Sequence, residues 1–377
     1  MTSSYRYIVL LLVLMFSCID PYWPDLEGEE SLLVVDALIT DNPENQYVFL
    51  SRSAPLDSQQ IIPVRHARVF IQDDLGNSIR FYEYEAGKYY PEDFSGSQGR
   101  SYSLIILLED GRQYTSEFQL LQTADKFDTL FYELESQPTT DPLYPVEGAR
   151  FFIGGIPSGE QNRYYLFRLE ETYRYHVDFT LEFIDIGQGL TRVDDPPPTQ
   201  CWKTTELDGW YIYKSLPRAG PSSQPLPLHF VAFDSKRFSE RYSLLVKQIN
   251  VSETVFNLYY QVNQQGNNGS IFATQPYNIA GNIRCASDPG EIVLGSFIVG
   301  GIREKRAFFN RPANVYFTYP TCFADSEGVG FWLMRGGTPE SPLHFTLANG
   351  GLAYAAEQCF YCSGDGGSPE RPDFWED

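Results

Sequence analysis

The sequence predicts a mainly β protein: an N-terminal immunoglobulin-like β-sandwich over residues 32–122, followed by a larger β-rich domain over 126–377 with one amphipathic helix. Three observations carry this. Short apolar runs recur between turn residues, proline and glycine punctuate the second half, and only one segment has helical periodicity. With 377 residues, 42% of them hydrophobic and 15% aromatic, the chain can build two domains with real cores.

The first element is a leader over residues 1–17. Tyr5-Arg6-Tyr7 precedes Ile8-Val9-Leu10-Leu11-Leu12-Val13-Leu14-Met15-Phe16, an apolar run too short to span a bilayer, and Ser17-Cys18 follow. This reads as a lipoprotein signal peptide. A small Ser17 suits the pocket of the cleaving peptidase, and lipid transfer needs a thiol at the next position, so the mature chain is expected to begin at lipidated Cys18. The bland alternative is an ordinary hydrophobic leader that contains a cysteine.

Residues 18–31 form the second element. Ile19-Asp20-Pro21-Tyr22-Trp23-Pro24-Asp25-Leu26-Glu27-Gly28-Glu29-Glu30 holds five acids and no base, the composition of a solvated acidic tether. Over the whole chain 28 bases face 49 acids, a net charge of −21. Such a surface repels nucleic acid and anionic headgroups, so no nucleic-acid partner is expected and attachment should come from acyl chains.

Strand signals begin at Leu32–Ile39, which ends in the turn residues Asp41-Asn42-Pro43, and Tyr47–Leu50 comes next. Ala67–Ile71 and Ser78–Tyr84 flank Asp73-Asp74-Leu75-Gly76-Asn77 as a hairpin, with Gly87–Tyr90 as a further strand. Tyr102–Leu107 pairs across Glu109-Asp110-Gly111 with Gln113–Phe118. About seven strands in this span is the density of an immunoglobulin-like sandwich, and with no cysteine inside it packing alone must hold it.

In the second domain the candidate strands are Thr129–Leu134, Ala149–Gly154, Tyr164–Val177, Phe179–Ile184, His229–Phe233, Tyr242–Ile249 and Ile292–Val299. Asp194–Pro198 and Pro217–Pro227 should be surface loops or crossings. Helix 252–265 is read from Ser252 as cap, Glu253, apolar residues at 255, 258, 259 and 262, and the terminating Gly266. Its Tyr and Phe stripe predicts packing on a sheet.

Several phrases resemble a known family in order along the chain. They are Leu33–Thr40, Leu50–Ser53, Arg163–Tyr175, Gln275–Ile283, Val293–Phe297 and Arg371–Trp375. Together they are similar to the Bacteroidota outer-membrane lipoproteins grouped as the domain of unknown function DUF4249, with Ser296 where a bulky aromatic is more usual and Cys285 as an addition. The resemblance implies a lipid-anchored protein on the outer face of the outer membrane, beside a TonB-dependent receptor barrel. It implies no activity and no cofactor.

Besides Cys18 the cysteines are Cys201, Cys285, Cys322, Cys359 and Cys362, the last three in a C-terminal segment over 320–377. An exported protein with five remaining cysteines should form two disulfides and keep one thiol. The favoured pairs are Cys322 with Cys359 or Cys362, and Cys201 with Cys285. A zinc site on Cys322, Cys359, Cys362 and His344 is the alternative.

Catalytic patterns are sparse. His66, His176, His229 and His344 form no metalloprotease or nucleophile-elbow motif, and Glu170 and Glu171, adjacent on a strand, should point to opposite faces. The expected function is therefore non-enzymatic. One reading is an accessory subunit of a TonB-dependent receptor, and another is a surface protein that itself binds glycan or peptide cargo, stacking it on Trp202, Trp210, Tyr211 and Tyr213. A polymer-degrading enzyme is the third. Asp128-Thr129-Leu130 also fits a short O-glycosylation pattern at Thr129.

Overall fold

The computed structural model describes residues 31–54, 61–141, 143–156, 163–185, 190–216, 225–267, 281–326, 343–347 and 349–377. The leader, Cys18 and nearly all of the acidic tether lie outside the described residues. The first part of the chain supplies β1 (Leu33–Ile39), β2 (Tyr47–Arg52), β3 (Ile62–Pro63), β4 (Arg68–Asp73), β5 (Ser78–Glu85), β6 (Lys88–Tyr90), β7 (Ser101–Leu107), β8 (Gln113–Ser116) and β9 (Gln119–Leu120). The middle supplies β10 (Thr129–Gln137), β11 (Val146–Gly154), β12 (Arg163–His176), β13 (Phe183–Asp185), β14 (Leu190–Arg192), β15 (Gln200–Glu206), β16 (Tyr211–Ser215), β17 (Leu226–Ala232) and β18 (Arg241–Val251). After helix α1 (Glu253–Asn267) come β19 (Ile283–Cys285), β20 (Val293–Val299), β21 (Ile302–Asn310), β22 (Leu343–Thr346) and β23 (Leu352–Tyr354).

One hydrogen-bonded path, β19-β8-β7-β4-β5-β6-β2-β1-β20, builds the first body, with β3 on β2 and β9 on β7. Strand β5 is its corner: Ile79–Phe81 face β4, whereas Tyr82–Glu85 face β6. The sheet folds on itself there, so the alternate residues Leu33, Val35, Leu50, Phe81, Leu104 and Phe297 meet in one core.

Two of its strands come from far along the chain. β20 lies parallel to β1 from Leu33↔Val293 to Ile39↔Val299, and β19 pairs with β8. Reading the sequence closes this body at 122 and leaves 283–299 in the second. A parallel partner arrives by a long crossover and leaves no local turn signature, so periodicity alone cannot place it. Gly295 permits the approach: its φ is +84°, and a Cβ there would stand 2.0 Å from the Val35 carbonyl oxygen. A cysteine therefore does lie in the first core, since Cys285 is buried there as a free thiol.

The second body is organised around β12. Of its fourteen residues, Tyr164–Arg174 pair with β18 along one edge, and β16 and then β15 pair along the other, while β21 extends the sheet from β18. Facing it is the sheet β10-β11-β17. Pro227 sits in β17, an edge strand, where a missing N–H costs least. Between the sheets Phe151 is fully buried, its ring centroid 5.1 Å from those of Tyr242 and Phe309.

Helix α1 seals the seam. Val255 and Phe256 pack with Tyr164, Leu166, Ile249 and Val251 of the second body and with Leu38 and Ile298 of the first. Ser252 Oγ accepts the Val255 N–H, the capping role its position predicts. Tyr259 reaches the buried Ser296, hydroxyl to hydroxyl at 3.0 Å, and occupies space that a larger residue at 296 would fill. Polar groups lock the same seam: Asp125 accepts from Tyr165 Oη and Asn250 Nδ2, both at 2.8 Å, and pairs with Arg163.

A small sheet, β14-β13-β22-β23, completes the fold near the C-terminus. The tail beyond it is clamped. Trp375 is buried against Trp202 and Phe308, and the Arg306 guanidinium lies 3.6 Å from the Phe374 ring centroid.

Candidate functional site

A cleft of about 1260 Å³ opens where the β12 sheet meets the C-terminal segment. Its floor follows from strand alternation: Tyr173 and Tyr175 project from one face of β12, and Lys203 stands beside Tyr173 on β15. A 3-10 helix, Lys236–Phe238, adds Lys236. The opposite wall is segment 319–325 together with 354–365, which carries Phe323, Glu357 and Asp365.

Disulfides hold that wall. Cys322 is bonded to Cys359, and Cys201 on β15 is bonded to Cys362. The expected Cys201–Cys285 pair does not form, because Cys285 is buried in the first body whereas Cys201 lies in the core of the second. Bonded in this way, Cys322, Cys359 and Cys362 offer no thiolate to zinc. His344, the fourth ligand of that alternative, is buried on β22 with its ring centroid 6.0 Å from that of Tyr354.

Five carboxylates and two lysines line the cleft, and Lys236 is ion-paired with two of those carboxylates. Lys236 Nζ lies 3.0 Å from Asp178 Oδ1 and 3.7 Å from Asp365 Oδ2, and 5.7 Å from the centre of the Tyr175 ring. Asp178 Oδ2 also accepts the Cys322 N–H at 2.8 Å, tying the floor to the disulfide wall. Lys203 Nζ donates to the Asp365 carbonyl at 2.6 Å, and Tyr354 Oη donates to Asp325 Oδ2 at 2.8 Å. Burial pushes Tyr173 up to about 12 and raises Tyr175 further, so both phenols remain O–H donors at any physiological pH. Asp234 and Glu357 are exposed at the rim, and Phe323 is 81% exposed.

The four aromatics singled out as stacking platforms do not converge on this cleft. Trp202 is buried beneath Trp375, which removes it as a platform. Tyr213 stacks on Tyr165 inside the sheet, and Trp210 is covered on one face by Arg168, 4.2 Å from its ring centroid. Trp210 and Tyr211 line a second groove of about 480 Å³ beside α1.

Glu170 and Glu171 point to opposite faces, as adjacent strand residues must. Glu170 pairs with Arg306 at 2.5 Å on one side. On the other, Glu171 is buried in a network that the residue pattern did not reveal: it accepts from Arg237 Nε at 3.0 Å and Tyr242 Oη at 2.8 Å. His229 belongs to the same network. Arg237 can only donate, so His229 Nε2, 2.7 Å from its Nη2, is the acceptor, and the ring proton sits on Nδ1, facing Tyr211 Oη at 3.3 Å. Burial first, then the nearby Arg237 and Arg150, hold His229 down to about 4. His176 by contrast is exposed and 2.6 Å from Glu240, and His66 is exposed beside Glu83. Thr129 is exposed at the start of β10.

Arranged this way, the cleft can hold and orient a ligand through hydroxyl, carboxylate, ammonium and aromatic groups. Fold and site together define a mainly β protein with a cleft framed by two disulfides. The chain belongs to the family described as Domain of unknown function (DUF4249), whose model matches residues 19–306. That match begins next to Cys18 and ends within β21, so the disulfide-braced wall of the cleft lies beyond it. No match was found among curated proteins.

Proposed function

We propose that this chain is a non-enzymatic lipoprotein of the outer membrane, exposed at the cell surface, that serves as an accessory subunit of a TonB-dependent receptor or a related assembly. The observation that carries the reading is Cys18, placed after a short apolar leader and a small residue. Family membership from residue 19 onward supports it, as does an acidic stretch of the kind that resembles an export address to the surface.

The physical logic is that of a tether. Residues 19–32 can reach at most about 50 Å when extended, which holds the folded body within one domain diameter of the bilayer. Acyl chains supply the attachment, because a net charge of −21 gives anionic lipid no reason to bind the body. At the surface such a body is positioned to lie over or beside a barrel mouth.

Two measurements test this. Cys18→Ser should release the protein from envelope membranes into soluble fractions, and retention of the variant in the membrane would overturn the anchor. Purification of the native protein in mild detergent should bring down a large barrel at equal stoichiometry, and its reproducible absence would overturn the accessory role.

A further inference from the structure

We infer that the disulfide-framed cleft is a binding site for a neutral oligosaccharide. This stands apart from the membrane-assembly reading, because it rests on the cleft alone.

The size of the cleft comes first. At about 1260 Å³ it exceeds the roughly 300–1,000 Å³ of pockets that enclose drug-sized molecules, which suits several linked sugar rings rather than one. Its charge state then selects among polymers. Lys236 is held between Asp178 and Asp365, whose side chains on the inner face are largely buried in the case of Asp178 and Lys236. An ionic ligand would have to break that pairing. Of the three carboxylates outside it, Asp325 already accepts from Tyr354 Oη, while Asp234 and Glu357 are exposed at the rim, where salt screens a basic ligand and an anionic one is repelled.

A hydroxyl-rich neutral ligand meets no such cost. Sugar hydroxyls both donate and accept: the carboxylates of Asp178 and Asp365 offer acceptor lone pairs, and Lys203, Lys236 and the Tyr173 phenol offer donors, the Tyr175 phenol being buried and given to the Cys362 carbonyl oxygen at 3.0 Å. Phe323 supplies the remaining requirement. It leaves a large aromatic face in water at the edge of the cleft, and the C–H face of a pyranose ring laid on it would remove apolar surface from both. Because the wall that carries Phe323 lies beyond the family match, selectivity among glycans is assigned to the C-terminal segment.

The test is titration calorimetry on the full chain in mild detergent, with neutral hexasaccharides of glucose, mannose and xylose as probes at millimolar concentration. At least one should bind with an affinity that stays the same from low to high salt. Phe323→Ala should weaken it by about fivefold, and Asp234→Asn should leave it unchanged, with near-ultraviolet circular dichroism confirming that both variants are folded. The inference is overturned if none of the hexasaccharides binds or if Phe323→Ala binds as well as wild type. It is equally overturned if a lysine-rich hexapeptide binds instead, losing affinity with salt and with Asp234→Asn.

Discussion

Lowering the pH through the range of His229 should cost this fold a defined amount of stability. In an unfolded chain the imidazole titrates near 6.5, whereas in the folded protein it is held down to about 4. A depressed histidine penalises the native state only where the unfolded state can take the proton. The contribution is therefore absent above about pH 7, grows as pH falls through 6.5, and is complete near pH 4. The separation between the two values converts to about 3 kcal/mol at 1.36 kcal/mol per pH unit. The physical cause is visible in the network: protonating Nε2 would place an N–H against the Arg237 guanidinium, which has nothing to accept it. His229→Gln isolates the effect, because its amide oxygen can replace Nε2 as acceptor yet does not titrate. Urea unfolding of both proteins with disulfides intact, at intervals from pH 7.5 to 4, gives the difference in stability as a function of pH. That difference should shrink by about 3 kcal/mol toward acid as the wild type loses its advantage. A difference that stays flat, or a His229 ring resonance with its midpoint near 6.5, would refute the buried-acceptor assignment.

Other perturbations separate the remaining parts of the argument. Gly295→Ala should cost about 3 kcal/mol or more, because left-handed strain is joined by a collision with the Val35 carbonyl; Gly76→Ala, at a similar φ of +87° with nothing within 4 Å, should cost only about 1 kcal/mol. Thermal melts of the pair would show whether close approach of β1 and β20 sets the difference, and equal losses would dismiss it. Removing Cys322–Cys359 by double serine substitution should lower the unfolding free energy by about 4 kcal/mol for its 37-residue separation, as measured by urea denaturation. In a Cys18→Ser background one thiol, that of Cys285, should react with a thiol reagent, and only after denaturation; two or more would contradict the pairing.

How much of this was legible in the sequence depends on how local each signal is. Strands such as β4 and β5 announce themselves, because alternation and an intervening Asp-Asp-Leu-Gly-Asn turn both lie within a few residues of the pairing they specify. The helix was equally plain, since its cap, period and stop are all local. What failed to show were relations set by the third dimension. β15, β16 and β21 are short or mixed in polarity, and become strands because the long β12 and β18 offer them an edge. Trp202 and Tyr213 looked available as platforms, yet alternation on β15 and β16 says only that they face one side, not that a tail or a neighbouring ring covers that side.

The cysteines make the same point at the site itself. Spacing brought Cys359 and Cys362 to attention as a pair facing one metal, but the 3-10 turns around them aim the two sulfurs in different directions, one toward the wall and one toward the β12 sheet. That divergence is what creates the cleft. One bond fastens the C-terminal segment to itself and the other fastens it to β15, and the space between the two attachments stays open beside Lys236 and Tyr175. A chain that bonded Cys201 to Cys285 would instead tie the two bodies together and leave this wall unheld. Retention of a ligand after reduction of both bonds would therefore mean that the wall is held by its apolar contacts, Phe345 and Phe360 against Phe179, rather than by its sulfurs.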